Sequence, residues 1–298
     1  MRQGTYSIVA RDPDTGELGA AVQSHWFSVG SLCIWARPGV GAVATQSIVE
    51  PAHGPNALDR LGAGDNAATA LAVVLAADDS AALRQVGIIG ARGAPAAHTG
   101  RDCIAYAAHV LGDSWSCQAN MMERDTVPAA MSAAFAASAG SLGQRMLIAL
   151  EAAEAEGGDV RGRQSAAMLV VPPEGEAWRS RLDLRVDDSA EPLVELRRLF
   201  GLHSAYELAG EGDDLLAVGR VDEAGSRYRA AQELAPHSDE LLFWAGLAMA
   251  QAGDVTGGIE AVRSAVAVHA NWLVLLARLS PQMAPAAADV LRALTRGK

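Results

Sequence analysis

The sequence predicts a mixed α+β main domain followed by an all-helical tail, and three observations predict it. Short β-forming stretches bounded by turn residues open the chain. Alanine-rich stretches with helical spacing interrupt them and strands then return, an order that suits a layered α+β sandwich better than strict alternation of strand and helix. Beyond His203 helical periodicity continues and no strand pattern recurs. A chain of 298 residues exceeds a usual single domain, so the expected division is residues 1–203 and 204–298.

Taken in order, residues 4–12 hold the β-formers Thr5, Tyr6, Ile8 and Val9, and Pro13 to Gly16 supply turn residues before residues 18–22, which reads as a hairpin. Residues 31–37 and 40–46 read as two more strands about the Pro38-Gly39 turn, the second built of small residues. Residues 47–55 read as a polar loop carrying Glu50 and His53. A helix is expected over 65–77 with Asp65 as its cap. Strands follow at 86–90 and around 96–100, then at 115–120, and helices at 127–138 and 142–156. A glycine-rich polar loop, 157–165, feeds a buried strand at 166–171; residues 182–187 alternate as an edge strand and 192–200 as a helix. In the tail, Leu208, Gly212, Leu215, Ala224, Tyr228, Ala231 and Pro236 fall at spacings resembling a tetratricopeptide repeat, with a degenerate second copy at Gly246, Met249, Val262 and Ala265.

Composition closes off several functions. A net charge of −11 disfavours nonspecific binding to nucleic acid or anionic membrane. No apolar run reaches the roughly 18 residues of a membrane span, and no signal-peptide pattern opens the chain, so a soluble cytoplasmic protein is expected. Cys33, Cys103 and Cys117 are widely spaced without a CxxC, which points to buried apolar residues rather than disulfides or zinc. The only lysine is Lys298, at the far carboxyl end, which excludes a lysine base or Schiff base. No phosphate loop, dinucleotide fingerprint or metal motif occurs, and no cofactor or metal is expected.

Chemistry gathers first at the Gly4-Thr5 step. Cleavage after Gly4 would free the Thr5 amine to deprotonate its own hydroxyl. Ser24, beside His25, and Ser7, on the same strand face as Thr5, stand behind Thr5 as nucleophiles, in that order. Asn120 is a neutral donor suited to an oxyanion hole, or else a strand-end cap. Asp159, Arg161 and Arg163 either hold a substrate carboxylate, orient the nucleophile or form a structural ion pair. His25, Glu50 and His53 are candidate substrate-pocket residues.

The stretches 5–12, 39–46, 118–121, 157–165 and 183–188, in that order, resemble the bacterial domain-of-unknown-function family ten-twenty-eight, over roughly residues 5–203. That family is grouped with the N-terminal-nucleophile (Ntn) hydrolases. The resemblance implies a four-layer αββα sandwich and hydrolysis of a small amide, with Thr5 as nucleophile after removal of residues 1–4. The absence of a lysine beside Thr5 departs from proteasome-like members; Arg37 and Arg163 supply positive charge, but an arginine stays protonated and is no base. The alternative is a catalytically silent scaffold whose helical tail binds a protein partner. Exposed β-edges make a homodimer the expected assembly.

Overall fold

The computed structural model describes residues 4–296. Met1 to Gln3, whose removal the Thr5 reading requires, and Lys298 lie outside the described residues. The chain divides into two compact units, Met1–Arg198 and Leu199–Lys298.

The first unit is α+β with antiparallel sheets. Its chain runs β1 (Thr5–Arg11), β2 (Leu18–Ser24), the short α1 (Gly30–Cys33), β3 (Ile34–Arg37), β4 (Gly41–Ser47), α2 (His53–Gly62), α3 (Ala67–Ala76), β5 (Arg84–Gly90), β6 (Ala96–Thr99), β7 (Ala108–Leu111), β8 (Trp115–Asn120), α4 (Val127–Ala137), α5 (Leu142–Ala155), β9 (Ser165–Val171) and β10 (Leu182–Val186). The strands form a six-stranded sheet, β10-β9-β2-β1-β8-β7, and a four-stranded one, β3-β4-β5-β6. The two sheets face each other; α4 and α5 pack on the larger sheet and α2 and α3 on the smaller.

Several elements depart from the sequence expectation, each for a local reason. Residues 30–33 form a helical turn before β3, because Leu32 and Cys33 donate their backbone N–H back to Val29. The expected polar loop ends in helix: α2 begins at His53 and buries Ala57, Leu58 and Leu61 against β4. Asn66 rather than Asp65 caps α3, its side chain accepting from Thr69 N–H at 2.9 Å. The four-residue strand β7, half exposed at a sheet edge, carries no alternation long enough to read. The helix expected at 192–200 continues as α6 (Pro192–Ala217).

Side-chain alternation fixes what lies between the sheets. In register across β9, β2, β1 and β8 stand Ser165, Ser24, Thr5 and Asn120; two residues further in stand Ala167, Val22, Ser7 and Gln118. Opposite them, Gln46, Gln85 and Thr99 share a row across β4, β5 and β6. The other half of the same interlayer is apolar, with Val9, Leu18, Ala20, Val22, Ala42, Ala44 and Ile89 in one buried cluster. One end of the space between the sheets is therefore an apolar core and the other a buried polar layer. On the outer face of the larger sheet Tyr6 and Ile8 lie buried, as do Met131, Phe135, Leu142, Met146 and Leu147 of α4 and α5.

The second unit is helical. The later part of α6 is followed by α7 (Val221–Leu234), α8 (Asp239–Gln251), α9 (Val255–Val268), α10 (Asn271–Leu276) and α11 (Ala287–Thr295). The helices α8 and α9 cross where Gly246 meets Gly258: a methyl on Gly246 would lie 2.9 Å from the Gly258 carbonyl oxygen. Phe243 stacks on Trp272 at 4.6 Å above a cluster including Leu247, Val262 and Val290. No helix among the described residues is long and apolar enough to cross a membrane.

Candidate active site

Thr5 is completely buried, yet its neighbours in the row are polar. Its hydroxyl donates to Ser24 Oγ at 3.1 Å, and Ser24 Oγ donates in a short hydrogen bond to the carbonyl oxygen of Gly4. The same carbonyl oxygen accepts from a terminal nitrogen of Arg161 at 2.8 Å. The peptide carbonyl immediately before Thr5 is thus held by a hydroxyl and a guanidinium, with the Thr5 hydroxyl one link away.

Arg161 is held in turn by Asp159. The two ion-pair at 2.7 Å, and Asp159 also accepts from the backbone N–H of Arg161 at 3.0 Å and of His25 at 3.2 Å. With its carboxylate fully shielded from solvent, Asp159 is compensated from several directions at once. It also sits against Gly4: a methyl at that position would lie 2.7 Å from both carboxylate oxygens, closer than real carbon contacts allow. A side chain on residue 4 would require that carboxylate to shift. The loop bearing Asp159 is seated by a bridge between Asp159 and Met122 and by Val160 N–H donating to the Met121 carbonyl at 3.0 Å.

Behind Thr5 lies a chain of side-chain amides with one direction. Gln85 Nε2 donates to the backbone carbonyls of Ala119 at 2.9 Å and Ala108 at 3.2 Å, and to Thr99 Oγ1 at 2.9 Å. Carbonyls only accept, so Gln85 Oε1 must face the other way, where it accepts from Gln46 Nε2 at 2.8 Å and Asn120 Nδ2 at 3.1 Å. Gln46 Oε1 then accepts from Ser7 Oγ at 2.6 Å, and Ser7 accepts from Gln118 Nε2 at 2.7 Å. Gln118 lies across Gly87, where a side chain would strike its amide at 2.3 Å. At the far edge Thr99 Oγ1, an acceptor from Gln85, is hydrogen-bonded to His109 Nδ1 at 2.9 Å. Burial, and then the neighbouring His98, lower the His109 pKa.

This orientation decides what Asn120 offers. Its Nδ2 serves Gln85 and, at 3.4 Å, the Thr5 carbonyl, while its Oδ1 is buried with no partner among the described residues. Asn120 therefore presents an acceptor beside Thr5; the donor atoms expected for an oxyanion hole are engaged elsewhere. Two backbone positions flank the layer in the left-handed region without being glycine, Ser47 after Gln46 at φ 74° and Met121 after Asn120 at φ 57°. Such strain persists where surrounding contacts over-determine it.

The other expected residues divide. Ser7 joins the amide chain rather than the Thr5–Ser24 pair. His25 contributes its backbone N–H, and its ring lies 3.7 Å from the position a side chain on Gly162 would take. Arg163 does not join Arg161 at Gly4; it pairs with Glu154 at 3.1 Å and Glu191 at 2.8 Å, and Glu154 accepts from the Tyr6 hydroxyl at 2.7 Å. Glu50 and His53 line a separate cleft of about 610 Å³ beside α2 and α3, with Asn56, Asp59 and Asp78. There His53 Nε2 meets Asp78 at 3.0 Å, and hydrogen bonds from Arg84 hold the Asp78 carboxyl down at about 2. Gln46, Gln85 and Gln118 were not expected. Their signal is an amide inside an otherwise apolar strand, as in the Gln85 that opens the run Val86 to Gly90. Among the described residues no group of three or more His, Cys, Asp or Glu is arranged to hold a metal ion.

A family model described as a family of unknown function, DUF1028, matches residues 5–196. Among solved structures, the chain is similar to the crystal structure of protein SPO2555 from Silicibacter pomeroyi, itself assigned to DUF1028. The identity is 31%, the match covers 66% of this chain and 88% of that one, and the TM-score is 0.60. No curated protein matches.

Proposed function

The chain belongs to the DUF1028 family over residues 5–196, and we propose that its first unit is a self-processing amide hydrolase of the Ntn type, a four-layer αββα sandwich with Thr5 as nucleophile. The observation that carries this reading is the Gly4 carbonyl oxygen, bound by Ser24 and Arg161 directly before a hydroxyl that hydrogen-bonds to Ser24. In the first step Thr5 Oγ1 bonds to the Gly4 carbonyl carbon. The Thr5 hydroxyl proton passes to Ser24 Oγ as the Ser24 proton passes to the Gly4 oxygen, so the tetrahedral adduct is neutral and Arg161 steadies its oxygen. The C–N bond then breaks, the Thr5 nitrogen takes the adduct's hydroxyl proton, and an ester links Gly4 to Thr5. Water hydrolyses it, releasing residues 1–4 as an acid and leaving Thr5 with a free amine.

That amine supplies the base which no lysine provides. It accepts the Thr5 hydroxyl proton as the oxygen attacks a substrate amide, then returns it to the leaving nitrogen. Ser24 and Arg161 hold the substrate carbonyl oxygen as they now hold that of Gly4.

The test is intact mass with amino-terminal sequencing of purified protein, together with turnover of a small-amide panel. Mature chain beginning at Thr5, lost in Thr5→Ala along with turnover, supports the reading. Active protein that retains residues 1–4 refutes it. For the tail we hold the tetratricopeptide-like reading, a surface for a protein partner, on the close crossing of α8 and α9 at Gly246 and Gly258. Unchanged partners in pull-downs without residues 204–298 would refute it.

A further inference from the structure

We infer that the substrate's acyl group has an unsubstituted α-carbon, as in glycyl or acetyl amides, and that Asp159 enforces this. The inference rests on Thr5 being the nucleophile. Self-cleavage and substrate hydrolysis then pass through the same species, an ester on Thr5 Oγ1 whose carbonyl oxygen faces Ser24 and Arg161. In the first case the acyl group is Gly4 itself. The place Gly4 occupies is accordingly the acyl subsite, and its walls are already visible.

One wall is the Asp159 carboxylate, 2.7 Å from where an L-configured substituent on that α-carbon would sit. It cannot give way easily. Its Oδ1 accepts from Arg161 N–H at 3.0 Å and Arg161 Nε at 3.1 Å, and its Oδ2 from a terminal nitrogen of Arg161 at 2.7 Å and from His25 N–H at 3.2 Å. Moving the carboxylate aside would break these bonds around a side chain fully shielded from solvent, and would also disturb the guanidinium that binds the reacting carbonyl. Entry of an L-branched acyl group therefore displaces the machinery itself, while a CH₂ passes.

Two arms test this. Full-length protein is offered glycine 4-nitroanilide and L-alanine 4-nitroanilide, and Gly4→Ala is followed for self-cleavage by intact mass. The expected results are a preference for the glycyl compound on the order of a hundredfold in kcat/KM and a comparable slowing of self-cleavage in Gly4→Ala. Because self-cleavage is read in a chain whose fold is checked by circular dichroism, loss of folding is separated from loss of processing; a misfolded Gly4→Ala leaves the nitroanilide arm to decide. If wild type processes itself but turns over both anilides equally, or neither, or if folded Gly4→Ala cleaves at the wild-type rate, the acyl-subsite assignment falls and the hydrolase reading stands on its own test. If wild type neither processes nor hydrolyses, both fall.

Discussion

Replacing Ser24 with alanine separates the chemistry at Gly4 from the stability of the fold. The Ser24 hydroxyl makes two contacts, accepting from Thr5 at 3.1 Å and donating to the Gly4 oxygen. Without it the Gly4 oxygen keeps Arg161 at 2.8 Å, so the carbonyl is not orphaned, and the Thr5 hydroxyl loses one neutral bond. The stability cost is that of a buried hydroxyl losing its partner, about 1–2 kcal/mol, or a fall of about 2–8 °C in Tm for a unit of this size. The kinetic cost is larger, because Ser24 both delivers its proton to the Gly4 oxygen and takes the proton from Thr5. Loss of one such donor slows a reaction about 10²–10³-fold, on the order of 3–4 kcal/mol. The assay follows the fraction of chains beginning at Thr5 by intact mass after synthesis, beside thermal unfolding of the unprocessed variant. A folded Ser24→Ala protein that processes as fast as wild type refutes the relay, and with it the assignment of Ser24.

Other outcomes follow from the same geometry. Gln85→Leu strips the donor from the Ala119 and Ala108 carbonyls and the acceptor from Gln46 and Asn120, and is expected to cost about 2–4 kcal/mol in urea unfolding; a loss below about 0.5 kcal/mol would show that the amide chain is not held as described. Asp78, whose carboxyl Arg84 holds down at about 2 in the folded protein, is more acidic there than in the unfolded chain. Its contribution, about 1–2 kcal/mol after allowance for its position at a cleft rim, is complete above roughly pH 4 and is lost as pH falls toward 2. Asp78→Asn should therefore lower stability at pH 7 and flatten that part of the acid-unfolding curve, and an unchanged curve would count against the pair. In the tail, Phe243→Ala removes a fully buried ring stacked on Trp272 and should cost about 3–5 kcal/mol, read as an earlier unfolding of the helical signal.

Legibility in the sequence followed alternation. The strand at 115–120 was readable to its ends because polar and apolar residues face opposite sides, and the edge strand at 182–186 because its alternation runs unbroken. His53–Gly62 was not, since His53, Gly54 and Pro55 read locally as loop and only packing of Leu58 and Leu61 beneath makes a helix of it. Thr5 and Ser24 were legible as separate candidate hydroxyls, and Asp159 and Arg161 as a pair in a polar loop; that Thr5 and Ser24 stand opposite each other comes from the strand register. That the Asp159–Arg161 pair closes on Gly4 was not legible, because 155 and more residues separate them and only the folded sheet brings them together. The glutamines are hidden for a related reason: an amide in a strand announces a face, not the partner that orients it.

The buried amides also bear on how the strands choose their pairing. The apolar half of the interlayer is lined with Ala20, Ala42, Ala44, Val22 and Val9, side chains so alike in size that a strand displaced by two positions would meet nearly the same surface. Such a surface keeps faces but not offsets. Gln46, Gln85, Gln118 and Asn120 lack that tolerance, because each needs one particular atom opposite it. Threading errors that the alanines would forgive leave these amides without partners and away from solvent, so the polar end dictates the alignment that the oily end merely seals.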